Sequence, residues 1–143
     1  MTNSINDIHL ADVLLVTGSN TTEAHPVISL EMKKAVRLRG AKLILIDPRE
    51  IELADFATLH LRPRSGTDVA LLNTLAHIII EHGWTKEDFI TARTENFDAL
   101  KEAVRDCTPQ WGEDITGVPA EMIIEAAQVY SQAGSAAIFW AMG

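Results

Sequence analysis

Three short polar segments carry residue types suited to holding an anionic, hydroxyl-rich ligand. The first is Gly18-Ser19-Asn20-Thr21-Thr22-Glu23, followed by Ala24-His25-Pro26. Glycine at 18 lets a backbone approach a phosphate closely, and a helix opening just beyond points its N-terminal amides and positive dipole end at that spot. The second is Asp47-Pro48-Arg49. A carboxylate there is placed to accept from ribose hydroxyls, and a guanidinium can hold a phosphate or stack on a base. The third is Ser65-Gly66-Thr67-Asp68. Asp68 can accept paired hydrogen bonds from the N1–H and N2 amine of guanine, or simply cap a helix. The GxGxxG fingerprint of dinucleotide folds is missing, since Ser19 to Glu23 follow Gly18 without another glycine. Each segment also has a plain reading as turn glycine, surface aspartate or helix cap. On the residues alone, nucleotide binding and a packing module remain open alternatives.

Other chemistries are thinly supplied. A single cysteine, Cys107, excludes an intramolecular disulfide, a cysteine-ligated iron–sulfur cluster and a four-cysteine zinc site built from this chain alone. Asp106 beside it disfavours a thiolate, so Cys107 reads as a partly buried structural residue. The five histidines form no HExxH or HxH pattern. His77 and Glu81 stand at i, i+4 but lack a third ligand and read as a partly exposed helix face. Trp84, Trp111 and Trp140 read as core anchors rather than a stacking platform. Asn20-Thr21-Thr22 spells a glycosylation acceptor, a chance match without a secretion signal. No Ser-His-Asp or Cys-His grouping can be assembled. The sequence therefore offers no catalytic residue and no metal site.

The elements that must position the three segments follow from periodicity. Asp12 to Thr17 is apolar on both faces and predicts a central parallel strand ending at Gly18. After a polar turn over Gly18 to Glu23, His25-Pro26 opens a helix with proline at its first position. Ile28, Met32, Ala35 and Val36 repeat at helical spacing, and Gly40 stops the helix. Lys42 to Ile46 is a second strand, which completes a βαβ unit. A helical turn around Glu52 to Asp55 and a short strand over Ala57 to Leu61 come next. A helix after Asp68 would bury Val69, Leu72, Leu75, Ala76 and Ile79 and end near Gly83. Thr85 with Asp88 approximates a capping box for another helix. Asn96 to Val104 predicts a small amphipathic helix, and Val118-Pro119 opens a longer one through Tyr130 that Gly134 ends. Ser135 to Trp140 is a final strand. Val13, Leu15, Leu43, Leu45 and Ile138 should lie on adjacent strands of a buried sheet.

This order predicts an α/β fold, a Rossmann-like three-layer sandwich with a mostly parallel sheet and helices on both faces. Residues 1–143 read as one α/β domain, since no linker, repeat or low-complexity tract divides them. The chain stops directly after a strand, which suggests a piece of something larger. Hydrophobic residues make up 47% and charged residues 22%, a globular composition with no apolar run long enough for a membrane span. Twelve Lys and Arg against twenty Asp and Glu give a net charge of −8, which counts against a nucleic-acid or anionic-membrane surface. The N-terminus lacks signal-peptide features, so a cytoplasmic location is expected.

Taken in order, Thr2-Asn3-Ser4, the stretch Gly18 to Val27, Asp47-Pro48-Arg49, the stretch Ser65 to Asn73, and Trp140-Ala141-Met142-Gly143 resemble the molybdopterin oxidoreductase family. Arg93-Thr94-Glu95-Asn96-Phe97 and Asp114 to Val118 make the chain most similar to catalytic subunits of molybdenum- or tungsten-dependent formate dehydrogenases. The resemblance implies a share in binding bis-molybdopterin guanine dinucleotide. Gly18, Ser19, Asn20, Glu23 and His25 would lie at pyrophosphate and ribose, Asp47, Pro48 and Arg49 near ribose and base, and Gly66 with Asp68 at the guanine. Ser65 departs from the family's commoner proline, which touches loop stiffness more than ligand chemistry. The cysteine motif for a [4Fe–4S] cluster, the cysteine or selenocysteine metal ligand, the neighbouring histidine and the substrate arginine are not in these residues. The implied partners are the remainder of a catalytic subunit, possible electron-transfer subunits, and formate as substrate of the intact enzyme. The alternative is a free-standing nucleotide-binding or scaffold module without a redox role.

Overall fold

The computed structural model describes residues 4–141. Thr2, Asn3, Met142 and Gly143, which complete two of the sequence motifs, lie outside them. The chain divides into two compact units, one of Met1–Arg62 with Ala133–Gly143 and the other of Pro63–Gln132.

The first unit holds the whole sheet. Strands β1 (Val13–Thr17), β2 (Lys42–Ile46), β3 (Leu59–Leu61) and β4 (Ala136–Trp140) lie in the order β3-β2-β1-β4. Every neighbouring pair is parallel, with Leu15 opposite Ile44 on one side and Ile138 on the other. The both-face apolar runs become the inner strands, as parallel sheets require. On one face Leu14, Val16, Leu43 and Leu45 form a core with Ile8, Met32, Ala35, Ile51 and Leu53. On the other, Val13, Leu15, Ile44, Ile46, Leu59 and Leu61 are buried as well. β4 departs from the expectation of a buried strand. It is an edge strand, and Ile138 and Trp140 are 47% and 74% exposed. Ile138 thus takes its expected register without its expected burial, and Trp140 is not a core anchor.

The polar turn after β1 includes a helical turn, α1 (Thr21–Ala24), ahead of α2 (Pro26–Arg39). Pro26 occupies the start of α2, and Gly40 closes it at φ 74°, donating to the Ala35 and Val36 carbonyls. Met32 and Ala35 face the core, as the spacing predicts. Two 3-10 helices, Ile5–Leu10 and Glu52–Phe56, complete the unit. The first has a full capping box, with Ser4 and Asp7 exchanging backbone-to-side-chain bonds.

The second unit is helical: α3 (Asp68–Glu81), α4 (Glu87–Arg93), α5 (Phe97–Ala103), α6 (Pro109–Thr116) and α7 (Ala120–Ser131). α3 rotates away from the expected face. It buries Leu71, Thr74, Leu75 and Ile78, and leaves Val69 and Leu72 71% and 42% exposed. Its sequence carries two apolar stripes, and packing against α6 and α7 chooses between them. Thr74 is admitted to the buried stripe because its hydroxyl donates to the Ala70 carbonyl at 2.9 Å. α6 is not among the elements expected from periodicity, although Thr108-Pro109 opens it and Gly117 closes it. The capping box at Thr85 does not form. α4 begins at Glu87, and the Thr85 hydroxyl donates instead to the Glu87 carboxylate at 2.8 Å.

Candidate functional site

Strand order reverses at β1, since β2 lies on one side of it and β4 on the other. In open parallel sheets, the crevice outside the carboxyl ends at such a reversal is where ligands bind. Thr17 pairs with Trp140 at that end, so Gly18-Ser19-Asn20 emerges beside the last residue of β4. The exposed Trp140 therefore ends β4 beside Thr17, where its sequence reading as a core residue does not put it.

Gly18 takes φ +57° and donates its N–H to the Ile46 carbonyl at 3.0 Å, which joins the ends of β1 and β2. A side chain built there would meet nothing within 4 Å, so the glycine answers a backbone need and leaves open space above the turn. Ser19 and Thr21 are buried. Asn20 Oδ1 and Thr21 Oγ1 are inaccessible and find no hydrogen-bond partner among the described residues. Leaving such groups unmade costs about 1–3 kcal/mol each, a cost a polar ligand would relieve. Thr22 and Ser29 share a hydroxyl–hydroxyl bond of 3.0 Å that ties the turn to α2. Glu23 and His25 are exposed, and the His25 ring turns back onto the Ala24 carbonyl.

The second segment is built differently from its reading in sequence. Asp47 is 1% exposed. Its Oδ1 accepts from the Arg49 N–H at 2.9 Å and from Arg49 Nε at 3.1 Å, and its Oδ2 accepts from Arg49 Nη2 at 3.1 Å. His60 Nε2 donates to the Asp47 carbonyl at 2.9 Å, and Arg62 Nε to the Pro48 carbonyl at 3.2 Å. Burial pushes the Asp47 carboxyl up, but the Arg49 guanidinium and N–H outweigh it and hold the group below the usual carboxylate range. The Arg49 guanidinium is held above its ordinary value by Asp47, with Glu23 adding to the effect through its charge. The Arg49 side chain stays 65% exposed. The segment thus turns outward a clamped guanidinium, while the carboxylate lies beneath it.

In the second unit, Gly66 takes φ +84° within a turn closed by Thr67, whose N–H and hydroxyl donate to the Arg64 carbonyl at 3.1 and 2.7 Å. Asp68 is the first residue of α3 and is exposed. Thr67 occupies the cap position, so the helix-cap role considered for Asp68 does not apply. Among the described residues no group of three His, Cys, Asp or Glu is arranged to hold a metal ion. His77 is buried rather than partly exposed, and its Nδ1–H donates to the Val104 carbonyl at 3.0 Å. Cys107 is buried, and burial with the charge of Asp106 pushes its thiol up. Trp84 stacks on His82 at 4.4 Å and, like Trp111, is only half-buried. Among the described residues, no helix is long and apolar enough to cross a membrane.

A four-stranded parallel sheet that reverses order beside a glycine turn, joined by helices, defines an α/β protein. Residues 1–143 match the Molybdopterin oxidoreductase family, and the chain belongs to it. The family is one of oxidoreductase enzymes, and its name carries the molybdopterin cofactor. The chain is 46% identical over 143 residues to the F420-dependent formate dehydrogenase 2 subunit alpha of Methanococcus maripaludis, covering 100% of this chain and 21% of that one. It is 43% identical to formate dehydrogenase H of Escherichia coli, again over 143 residues, which are 100% of this chain and 20% of the relative. Among solved structures, acetylene hydratase from Pelobacter acetylenicus matches with a TM-score of 0.84 and 33% identity over 92% of this chain and 18% of that one. The chain thus spans about a fifth of the length of the curated relatives it matches.

Proposed function

We propose that this chain is the part of a formate dehydrogenase-like catalytic subunit that holds the guanosine-diphosphate end of bis-molybdopterin guanine dinucleotide. The observation that carries this is the turn after β1, where an open Gly18 sits with two inaccessible, unpartnered side-chain oxygens, Asn20 Oδ1 and Thr21 Oγ1. Those residues fit a hydroxyl- and phosphate-bearing group. Gly18 to Glu23, with His25, would take pyrophosphate and ribose through backbone amides and the Asn20 side chain. Arg49 would meet phosphate or base with its outward N–H groups, held in place by Asp47. In the other unit, Asp68 would accept from the guanine N1–H and N2 amine, with Gly66 shaping the turn before it. Each unit supplies its own contacts, and residues 1–143 form one functional domain in this proposal.

When bound, that group would supply a molybdenum or tungsten centre for the two-electron oxidation of formate to CO2. This chain's residues bind and orient its nucleotide end. A [4Fe–4S] cluster and the electron-transfer subunits belong to other sequence in this proposal. Formate is favoured over the hydration substrate of the solved neighbour because the identities to formate dehydrogenases, 46% and 43%, exceed the 33% to acetylene hydratase.

Titrating the chain with GDP, ADP and inorganic pyrophosphate, followed by amide chemical shifts, tests the reading. GDP should bind in about the micromolar-to-millimolar range, because one domain supplies only part of the contacts. Shifts should centre on Gly18 to Glu23, Arg49 and Gly66 to Asp68. ADP binding as tightly as GDP, or shifts away from those residues, would refute it.

A further inference from the structure

We propose that Arg64 is the positioning residue of the guanine-recognising turn, fixing Ser65 to Asp68 by tying it to the carboxyl end of α6. The proposal rests on the reading that Asp68 takes the guanine. Three separate groups of Arg64 take part. Its guanidinium Nη1 donates to the Asp114 carbonyl at 2.8 Å and the Ile115 carbonyl at 3.1 Å. Its backbone N–H donates to the Thr116 carbonyl at 2.8 Å. Its own carbonyl accepts the N–H and hydroxyl of Thr67.

The three carbonyls lie in the last turn of α6, where no intrahelical donor remains, and a cation there also suits the negative end of the helix dipole. Gly117 makes room for the arrangement. It closes α6 at φ +75°, and a Cβ built on it would lie 3.3 Å from Arg64 Nε. α6 is itself pressed onto α3, since a Cβ on Gly112 would come within 2.6 Å of Thr74 Oγ1. The turn is therefore fixed at both ends. Arg64 holds its entry to α6, and Asp68 leaves it as the first residue of α3.

Paired hydrogen bonds to one base edge discriminate only if the carboxylate is held in place before the base arrives. Arg64 is exposed, a position where substitutions usually leave the fold intact. An exposed side chain with this many fixed partners controls the turn more than it supports the core.

The test compares GDP and ADP affinities of the whole 143-residue chain by amide chemical-shift titration. The variants are Arg64→Met, Arg64→Lys, Thr67→Val and Asp68→Ala. Arg64→Met keeps the stem over Gly117 and removes the donors. The native chain should prefer GDP over ADP by about tenfold. Arg64→Met should reduce that ratio toward unity with little change in thermal midpoint. Arg64→Lys, which keeps a cationic donor near the same carbonyls, should recover most of it. A merely structural role would lower the midpoint and leave the ratio alone. If Asp68→Ala abolishes the preference while Arg64→Met keeps it, the positioning role falls and the guanine reading stands. If Asp68→Ala leaves the preference intact, or the native chain shows none, the guanine reading falls and this proposal with it. Should Arg64→Met fail to fold, Thr67→Val decides. It loosens the other side of the turn without touching α6, and an unchanged ratio in that variant overturns the proposal.

Discussion

Replacing Asp47 by asparagine tests whether the carboxylate under Arg49 acts as a charged clamp. Asp47 is buried and accepts three hydrogen bonds from one residue, of which the Arg49 N–H bond at 2.9 Å is the most sheltered. The asparagine side chain keeps the shape but sets an amide against the guanidinium and turns charge-assisted bonds into neutral ones. The guanidinium is largely in water, so its two contacts count as a screened surface pair. The backbone bond and the lost charge on the buried acceptor remain, and together they come to about 2 kcal/mol. With a urea slope of about 2 kcal/mol/M, the midpoint should fall by about 1 M at pH 7.

Acid should erase this difference. The folded Asp47 carboxyl is held below its ordinary value of 3.8. A depressed carboxyl contributes stability above its unfolded value, and that contribution is lost as pH falls through the folded one. Native and Asp47→Asn chains should therefore separate fully at pH 6–7 and converge on titration below about pH 4. Urea unfolding followed by far-ultraviolet circular dichroism at pH 7, 4 and 3 reads both limbs. Glu31, held low by Lys34 and His9, supplies a second acid-sensitive contribution, common to both chains, which cancels in the comparison. A destabilisation of the same size at every pH would refute the clamp, because a neutral packing defect does not titrate.

Three further outcomes follow from the packing. Gly112→Ala should destabilise the chain by about 2–3 kcal/mol, since its Cβ would sit 2.6 Å from Thr74 Oγ1, and Thr74→Ala in the same chain should recover most of that in urea unfolding. Gly18→Ala should lower stability by about 1–2 kcal/mol through its left-handed φ alone, with no steric clash, and weaken GDP binding by disturbing the turn; an unchanged urea midpoint would contradict this. GDP should quench part of the tryptophan fluorescence in the native chain and less of it in Trp140→Phe, because Trp140 is 74% exposed and pairs with Thr17 beside the glycine turn, whereas Trp84 and Trp111 are half-buried; equal quenching in both would remove Trp140 from the site.

Much of the first unit is legible because its signals are one-dimensional. Val13 to Thr17 and Lys42 to Ile46 are apolar on both faces, and only a parallel inner strand satisfies that. Pro26 and Gly40 mark the two ends of α2 by backbone chemistry that no tertiary contact overrides. The failures come where three-dimensional context decides. β4 reads as apolar as its neighbours, and nothing in Ser135 to Trp140 announces that it lies at an edge. The α3 sequence has two usable apolar stripes, and the choice is made by Gly112 admitting Thr74. α6 escapes a periodicity argument because Pro109 to Thr116 is polar with a glycine in its middle, although its cap residues are visible. At the candidate site, sequence places a carboxylate at the end of β2. It does not show that Arg49, two residues on, folds back and encloses it.

That enclosure bears on how, in the proposed reading, a chain of net charge −8 would hold a pyrophosphate. Long-range attraction is not available, and even the nearest cation is compromised, since Arg49 already faces Asp47 and Glu23. Binding must then rest on fixed dipoles and unpartnered polar atoms at short range. The first unit has such atoms at the glycine turn, in the side-chain oxygens of Asn20 and Thr21. Arg49 acts in this scheme through geometry more than through net charge. Asp47 fixes the plane of the guanidinium, so the outward N–H groups present a set direction to a phosphate or a base. A lysine at 49 would keep the charge and lose the fork that Asp47 grips, so the two side chains are not equivalent here. In the proposed reading, the carboxylate that sequence places near the ribose would therefore act one layer down, by orienting Arg49 above it.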